Sequence, residues 1–358
     1  MLKEIHTVHI TDSVVETTVD PFEKIMQDFT QSPNFAELEI GELQSVQCRK
    51  QFERKNSSLR LYRVQGSGGS KNIYVKIAKN VYGKSLESFN STIQQDFDTN
   101  RFWSDKLNGY SQFGSIRPVY LSMEFKAIIT EETVGKNLGD LIRSQVRFNP
   151  SNEVIQTLVG HVHNAGKLLQ AVQNEFKGER QYDLQELVED IDVRMRALVA
   201  NPAAQFSENV RETILDFYNK NMSEARQSEI QVGFMHRDFT MSNLLVDGEK
   251  VIVHDFSKID IGPRLFDLTR FYHHLGLLKY KPIYSTRVVS ELQQAFLDGY
   301  QYPEQTTDLL FRFFALRHYL SHYKGLLREK DRSLKSKLYD RWVVNRHIQN
   351  IYRIIKNQ

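Results

Sequence analysis

Apolar and polar positions change their rhythm twice along the chain. Between Glu42 and Lys79 they alternate in "LQSVQCRKQFER", "SLRLYRVQ" and "NIYVKIA", with turn formers in "KNSS" and "GSGGSK" between the runs, which predicts a three-stranded antiparallel meander. A helix is predicted over Leu86–Leu107, then strands in "SIRPVYLSME" and "KAIITEE". The stretch "TVGKNLGDLI" follows, where Gly135 breaks the run and a new helix starts. After Asn149 the spacing becomes helical in "EVIQTLVGHVHNAGKLLQAVQ", "LQELVEDIDVRMRALVA" and "NVRETILDFYNK". The single β interruption expected there is "NLLVDGEKVIVHDF", read as a hairpin turned by Asp247-Gly248. Helices resume from Pro263, and no internal repeat is visible.

The pattern predicts an α+β fold: a small antiparallel β-sheet lobe with one helix over residues 41–134, and a larger, mainly helical lobe over 135–358. Residues 1–40, alternating in "TVHITDSVVETTV" and helical in "PFEKIMQDFTQS", read as an N-terminal extension.

Composition adds limits. At 358 residues, 40% apolar and 25% charged, the chain is long enough for two separate cores. Its one cysteine, Cys48, allows no intramolecular disulfide and no multi-cysteine metal site. The N-terminal stretch is acidic rather than a secretory signal, and no run reaches membrane-spanning length, so a cytoplasmic setting is expected. From Arg317 onward eleven Lys or Arg face three Asp or Glu, +8, which leaves −5 elsewhere in a chain of net +3. That tail is either a solvated helix face or a peripheral contact for an anionic surface; a nucleic-acid partner is not expected.

The chemistry concentrates in residues 235–257, "MHRDFTMSNLLVDGEKVIVHDFS". Phosphoryl transfer needs a positioned acceptor hydroxyl, a base for its proton, and cations on the nucleotide phosphates. Asp238, in a loop before a strand, suits the base. Asn243, five residues later, and Asp255, at the end of "VIVHDF", suit a magnesium ion that prefers a few oxygen ligands plus phosphate.

"HRDFTMSN" followed by "VHDFS" resembles the catalytic and metal loops of the protein-kinase-like superfamily, and "GPRLFDLTRF" looks like its aminoglycoside phosphotransferase and choline kinase branch. The resemblance runs over roughly residues 42 to 300. It implies a two-lobed kinase-like fold that uses ATP and Mg2+. It also implies that Lys76, in "IYVKIA", holds the α and β phosphates, and that backbone groups from Glu131 through Glu132 to Val134 receive the adenine ring. In such a fold the first hairpin covers the nucleotide, so Ser57 and Ser58 are candidate phosphate donors, with an ordinary hairpin the alternative; "GSGGS" is then only a turn.

Two departures stand out. The family pairs the strand lysine with a helix glutamate, but the only glutamate between Lys76 and Glu124 is Glu87, which comes too early; Asp98 or, next, Asp96 would replace it. Ser257 stands where protein kinases have glycine, a change that leaves metal binding through Asp255 in place.

Arg237 reads like the arginine of protein kinases, yet only eleven residues lie between Asp255 and Asp267, too few for a long activation segment. Asp267 is expected to brace the catalytic loop, and Arg237 to pair with a nearby acid. The stretch "RFYHHLGLLKYKPIY" fits either a core stripe or an acceptor site that stacks sugars. The basic C-terminal half favours a neutral or acidic sugar, polyol or glycan over a polycationic aminoglycoside.

The resulting expectation is an ATP-dependent phosphotransferase acting on a small-molecule or glycan hydroxyl. A nucleotide-binding pseudokinase or scaffold, and a protein or membrane-glycan kinase, are the alternatives.

Overall fold

The computed structural model describes residues 20–226, 230–303, 306–327 and 334–356. The alternating stretch before Asp20 lies outside the described residues. In chain order the elements begin with α1 (Pro21–Gln31), β1 (Leu43–Glu53), β2 (Ser57–Gly66), β3 (Gly69–Ala78), α2 (Leu86–Leu107), β4 (Phe113–Ser115), β5 (Pro118–Ser122) and β6 (Ala127–Glu131). They continue with β7 (Lys136–Asn137), α3 (Leu138–Gln145), α4 (Asn152–Asn174), α5 (Leu184–Val199), α6 (Glu208–Ala225), β8 (Val232–Met235), β9 (Leu244–Asp247), β10 (Lys250–Val253) and β11 (Asp260–Pro263). The chain closes with α7 (Leu265–Gly276), α8 (Thr286–Tyr300), α9 (Leu309–Leu326) and α10 (Leu334–Lys356). They form two compact units, one of the residues up to Gln94 with Pro118–Glu132, the other of Gln95–Arg117 with Thr133 onward.

The first unit is a five-stranded antiparallel sheet in the order β1-β2-β3-β6-β5. "GSGGS" closes the β2–β3 hairpin, where Gly66 pairs with Gly69. Residues 20–40 are more than an extension, because α1 covers one face of this sheet. Asp20 caps α1, accepting the Phe22 amide at 2.9 Å, and Pro21 supplies a pre-set first turn. Phe22, Ile25, Met26 and Phe29 then fall on one helical face and share a core with Tyr62, Val64, Ile73, Val75 and Ile129.

The second unit holds the helices and more strand than the single hairpin expected. Its sheet runs β4-β10-β9-β7, with β4 parallel to β10, and a separate ribbon pairs β8 with β11. The hairpin itself is offset by one residue from the expectation. Asp247 pairs with Lys250, so the loop is Gly248-Glu249, and Gly248 takes the positive φ of 56°.

The predicted first-lobe helix α2 also commits its C-terminal half here. Trp103, 1% exposed, stacks on Phe256 at 5.5 Å between ring centroids, and Leu107 enters the same core. On α10, Val344 and Ile351 are buried with Leu316, Leu320 and Tyr323 of α9, while Arg341, Arg346, Arg353 and Lys356 are exposed. From Arg341 to Lys356 the basic segment is therefore part of a core helix with a solvated cationic face. Among the described residues no helix is long and apolar enough to cross a membrane.

Candidate active site

The loop after β8 carries His236, Arg237 and Asp238, and ends in a short 3-10 turn, Met241–Asn243. Arg237 and Asp255 both adopt left-handed backbone, φ 62° and 68°, which costs about 1–3 kcal/mol at a non-glycine residue. Several hydrogen bonds hold them there. The buried carboxylate of Asp267, on α7, accepts the His236 amide at 2.6 Å, the bracing expected from sequence. The Asp238 amide donates to His236 Nδ1 at 3.3 Å, so Nε2 carries the proton and donates to the His254 carbonyl at 3.0 Å. Burial pushes His236 down to about 4, which keeps the imidazole neutral. Burial pushes Asp267 up to about 7, against the opposing pull of the His236 amide and the Arg270 charge.

The same network joins the base to the metal candidates. Asn243 Nδ2 donates to the Asp238 carbonyl at 2.9 Å, and the His254 amide donates to the Asn243 carbonyl at 3.1 Å. Asn137, the cap of α3, pins the turn by donating to the Ser242 carbonyl at 2.6 Å. Asp255 follows β10 directly; its Oδ1 accepts the Ser257 hydroxyl at 2.7 Å. Ser257 thus orients the carboxylate that the sequence made the main metal ligand. Among the described residues no cluster of three or more His, Cys, Asp or Glu could cage a metal. An amide oxygen and a carboxylate fit a magnesium ion that takes its remaining ligands from phosphate and water.

Asp238 is half-buried and doubly paired. Arg270 Nη2 lies 2.5 Å from Oδ1 and Lys258 Nζ 3.1 Å from Oδ2. Burial alone would raise its pKa, but Arg270 and then Lys258 more than offset that and hold it below the usual carboxylate value. Arg237 finds the acid expected for it in Asp260, at 3.3 Å. Neither partner of Asp238 was anticipated. Arg270 stands three residues after Asp267 on α7, so the two share a helix face, and that spacing was the available signal.

The remaining sequence candidates fall elsewhere. Lys76 sits mid-strand in β3, half-buried, between Leu59 of β2 and Ile128 of β6. Ser57 and Ser58 open β2 on the adjacent strand; Ser57 is buried, and the Ser58 hydroxyl donates to Glu53 at 2.8 Å. The Glu132 side chain accepts from Asn72 at 2.8 Å and its amide donates to the Asn72 carbonyl, so that amide is engaged within the first unit. Val134 is 69% exposed in the second unit. On α2, Asp98 lies on the exposed face, whereas Asp96 is buried and accepts from Asn100 Nδ2 at 2.8 Å. The aromatic run after Arg270 is mainly core: Phe271, His273, Leu275, Leu278 and Tyr280 are buried, while Tyr272 and His274 are half-buried.

A family model described as the phosphotransferase enzyme family matches residues 139–308. No curated protein matches the sequence. Among solved structures, the chain is similar to aminoglycoside phosphotransferase APH(4)-Ia in ternary complex with ADP and hygromycin B, with 14% identity, 89% of this chain and 97% of that one covered, and a TM-score of 0.53. It is also similar to the gentamicin complex of APH(2'')-IIa, with 13% identity, 94% and 96% covered, and a TM-score of 0.52. A choline/ethanolamine kinase family protein from Mesorhizobium loti is a third, with 11% identity, 94% and 98% covered, and a TM-score of 0.51. The family model covers residues of the helical unit alone, and the likeness to these solved structures shows a shared two-lobed, kinase-like α+β fold.

Proposed function

We propose that the chain transfers the γ-phosphate of ATP to a hydroxyl of a small molecule, with Asp238 as the base. The observation that carries this is the single hydrogen-bonded network that fixes Asp238, Asn243 and Asp255 relative to one another, with Asp238 kept ionised by Arg270. Solved structures of this fold include one in ternary complex with ADP and hygromycin B, which supports a nucleotide donor and a hydroxylated acceptor here.

In this reading Arg270 holds Oδ1 while Oδ2 takes the acceptor's proton. The acceptor oxygen forms a bond to the γ-phosphorus, the bond from that phosphorus to the bridging oxygen breaks, and ADP leaves. A magnesium ion, when bound, neutralises the developing charge on the phosphates, and Asn243 Oδ1 with the Asp255 carboxylate are the residues to hold it. Lys76 contributes a cation for the α and β phosphates, Ser57 and Ser58 cover them, and the backbone from Glu132 to Val134 contacts the base.

Asp238→Asn tests the reading, because it keeps the shape and removes the base. ATP-dependent transfer across a panel of sugars, polyols, sugar acids and aminoglycosides should fall by about 10²–10⁴-fold in this variant while nucleotide affinity stays within a factor of about two. Equal turnover by Asp238→Asn would remove Asp238 as the base. A wild-type chain that binds nucleotide and transfers to nothing in the panel would instead make the chain a nucleotide-binding scaffold.

A further inference from the structure

Lys258 and Arg270, the two partners of Asp238, line a cavity with far more positive charge than a proton acceptor needs. The cavity, about 480 Å3, is walled by Arg194, Arg237, Lys258, Arg270 and Arg317. Three carboxylates answer these five cations. Asp190 bonds Arg194 and Arg317, each at 2.8 Å; Asp238 bonds Lys258 and Arg270; and Asp260 bonds Arg237. Five against three leaves an excess of two positive charges. Asp267, buried behind the loop and titrating at about 7, cancels less than one of them near neutral pH.

The crowding shows in the arginines themselves. Burial, and then the charge of Arg194, pushes Arg317 down to about 10, with Arg270 acting in the same direction. Two buried donors on the same wall, Arg270 Nε and the Ser321 hydroxyl, carry no hydrogen bond among the described residues. Unpaired buried donors cost stability unless an acceptor arrives. Guanidinium forks match the paired oxygens of phosphate and carboxylate. The volume is that of a small-molecule site. The Phe266 ring, with the Arg317 guanidinium 4.3 Å above it, supplies an apolar wall for a carbon skeleton.

Resting on the phosphotransferase reading above, we propose that this cavity seats an oxyanion of the acceptor, so that the acceptor is an anionic hydroxylated small molecule, a sugar phosphate or an acidic sugar, rather than a polycationic aminoglycoside or a choline-like cation. The arrangement also couples recognition to catalysis. Lys258, 60% exposed, is the loosely held partner of Asp238. An oxyanion seated beside Arg237 draws the Lys258 ammonium away and frees Asp238 Oδ2 for the acceptor hydroxyl as the acceptor arrives. A neutral acceptor leaves that oxygen clamped.

Two measurements on the full chain test this. The first is calorimetric titration with inorganic phosphate, sulfate and acetate in the absence of nucleotide, for wild type, Arg237→Gln and Lys258→Gln. The two altered side chains are 46% and 60% exposed, so melting temperatures should stay at the wild-type value. Phosphate should bind, and each variant should weaken it by about tenfold. The second is kcat/KM for hexose phosphates and uronic acids, each against its neutral parent sugar, with an aminoglycoside alongside. The anionic member should be favoured by about a hundredfold, a preference for the hexose phosphate naming phosphate as the recognised group and one for the uronic acid naming carboxylate. A chain that binds magnesium–ATP but no anion, or that uses a neutral or cationic acceptor as well as an anionic one, overturns the inference and leaves the phosphotransferase reading standing. A chain that binds anions but neither binds nor turns over nucleotide removes the phosphotransferase reading and the acceptor with it.

Discussion

Acidification should destabilise the helical unit by a calculable amount. His236, His273, His318 and His347 are each at least nine-tenths buried and shifted downward, first by burial: His236 to about 4, His347 to about 3, and His273 and His318 well below the ordinary value. Three of them gather around one spot, where His273 lies 5.8 Å from His347 and 6.4 Å from His318 between ring centroids, and His322 bonds His347 at 2.7 Å. A base whose folded pKa is depressed stays neutral in the native state while the unfolded chain takes up the proton. Its contribution is therefore present above about pH 6.5 and is lost as pH falls below that.

Between pH 7.5 and 5.5 each such histidine costs about 1–2 kcal/mol, and the four together roughly 5–6 kcal/mol. Asp267 works in the opposite direction. Its folded pKa of about 7 lies above the unfolded value, so it binds a proton on folding and returns roughly 2 kcal/mol over the same interval. The net expectation is a loss of about 3–4 kcal/mol, a large part of the ~5–15 kcal/mol that holds a typical domain. Urea unfolding followed by fluorescence reads it, because both tryptophans, Trp103 and Trp342, belong to this unit. His347→Gln should shed about 1–2 kcal/mol of the difference. Equal or greater stability at pH 5.5 would refute the picture of a neutral histidine core.

Two packing predictions follow from contacts that position the site. Trp103→Ala removes the ring stacked on Phe256, next to Asp255, and should cost about 3–5 kcal/mol in urea unfolding of the helical unit; a loss under about 1 kcal/mol would mean the stack carries little. Gly299→Ala places a methyl group of α8 against the His163 carbonyl oxygen of α4, inside any real van der Waals distance and with backbone on both sides. It should lower the melting temperature of the helical unit by several degrees, at about 2–4 °C per kcal/mol for a unit of roughly 250 residues, and an unchanged melting temperature would show that the helices can part freely.

Much of this was legible because it is local. The helix over Leu86–Leu107 and the strand runs from Glu42 to Lys79 depend on spacing within a few residues, and the structure places those elements where the periodicity put them. The brace from Asp267 and the pairing of Arg237 with an acid were also readable, since both follow from a short loop that needs its amides and charges answered.

What was hidden depends on contacts distant in sequence. β8 is four residues long and pairs with β11 some twenty-five residues later, and β4 is three residues long with a parallel partner, so neither shows an alternation long enough to read. α1 read as part of an N-terminal extension, because only the sheet it covers reveals its apolar face as core. The positive residues of the last segment read as a tail, although Val344 and Ile351, between those charges, were the signal that one face is buried. Arg194 and Arg317 reach the cavity from α5 and α9, and no spacing along the chain joins them to Asp238.

The central claim is that a metal–nucleotide complex binds through Asp255 for transfer governed by Asp238. Calorimetric titration of magnesium–ATP into wild type, Asp255→Ala and Asp238→Asn tests it most directly. The account predicts binding by wild type that requires magnesium, a loss of about a hundredfold or more in Asp255→Ala, and affinity within about a factor of two of wild type in Asp238→Asn. Magnesium-independent binding, or equal binding by Asp255→Ala, would contradict it.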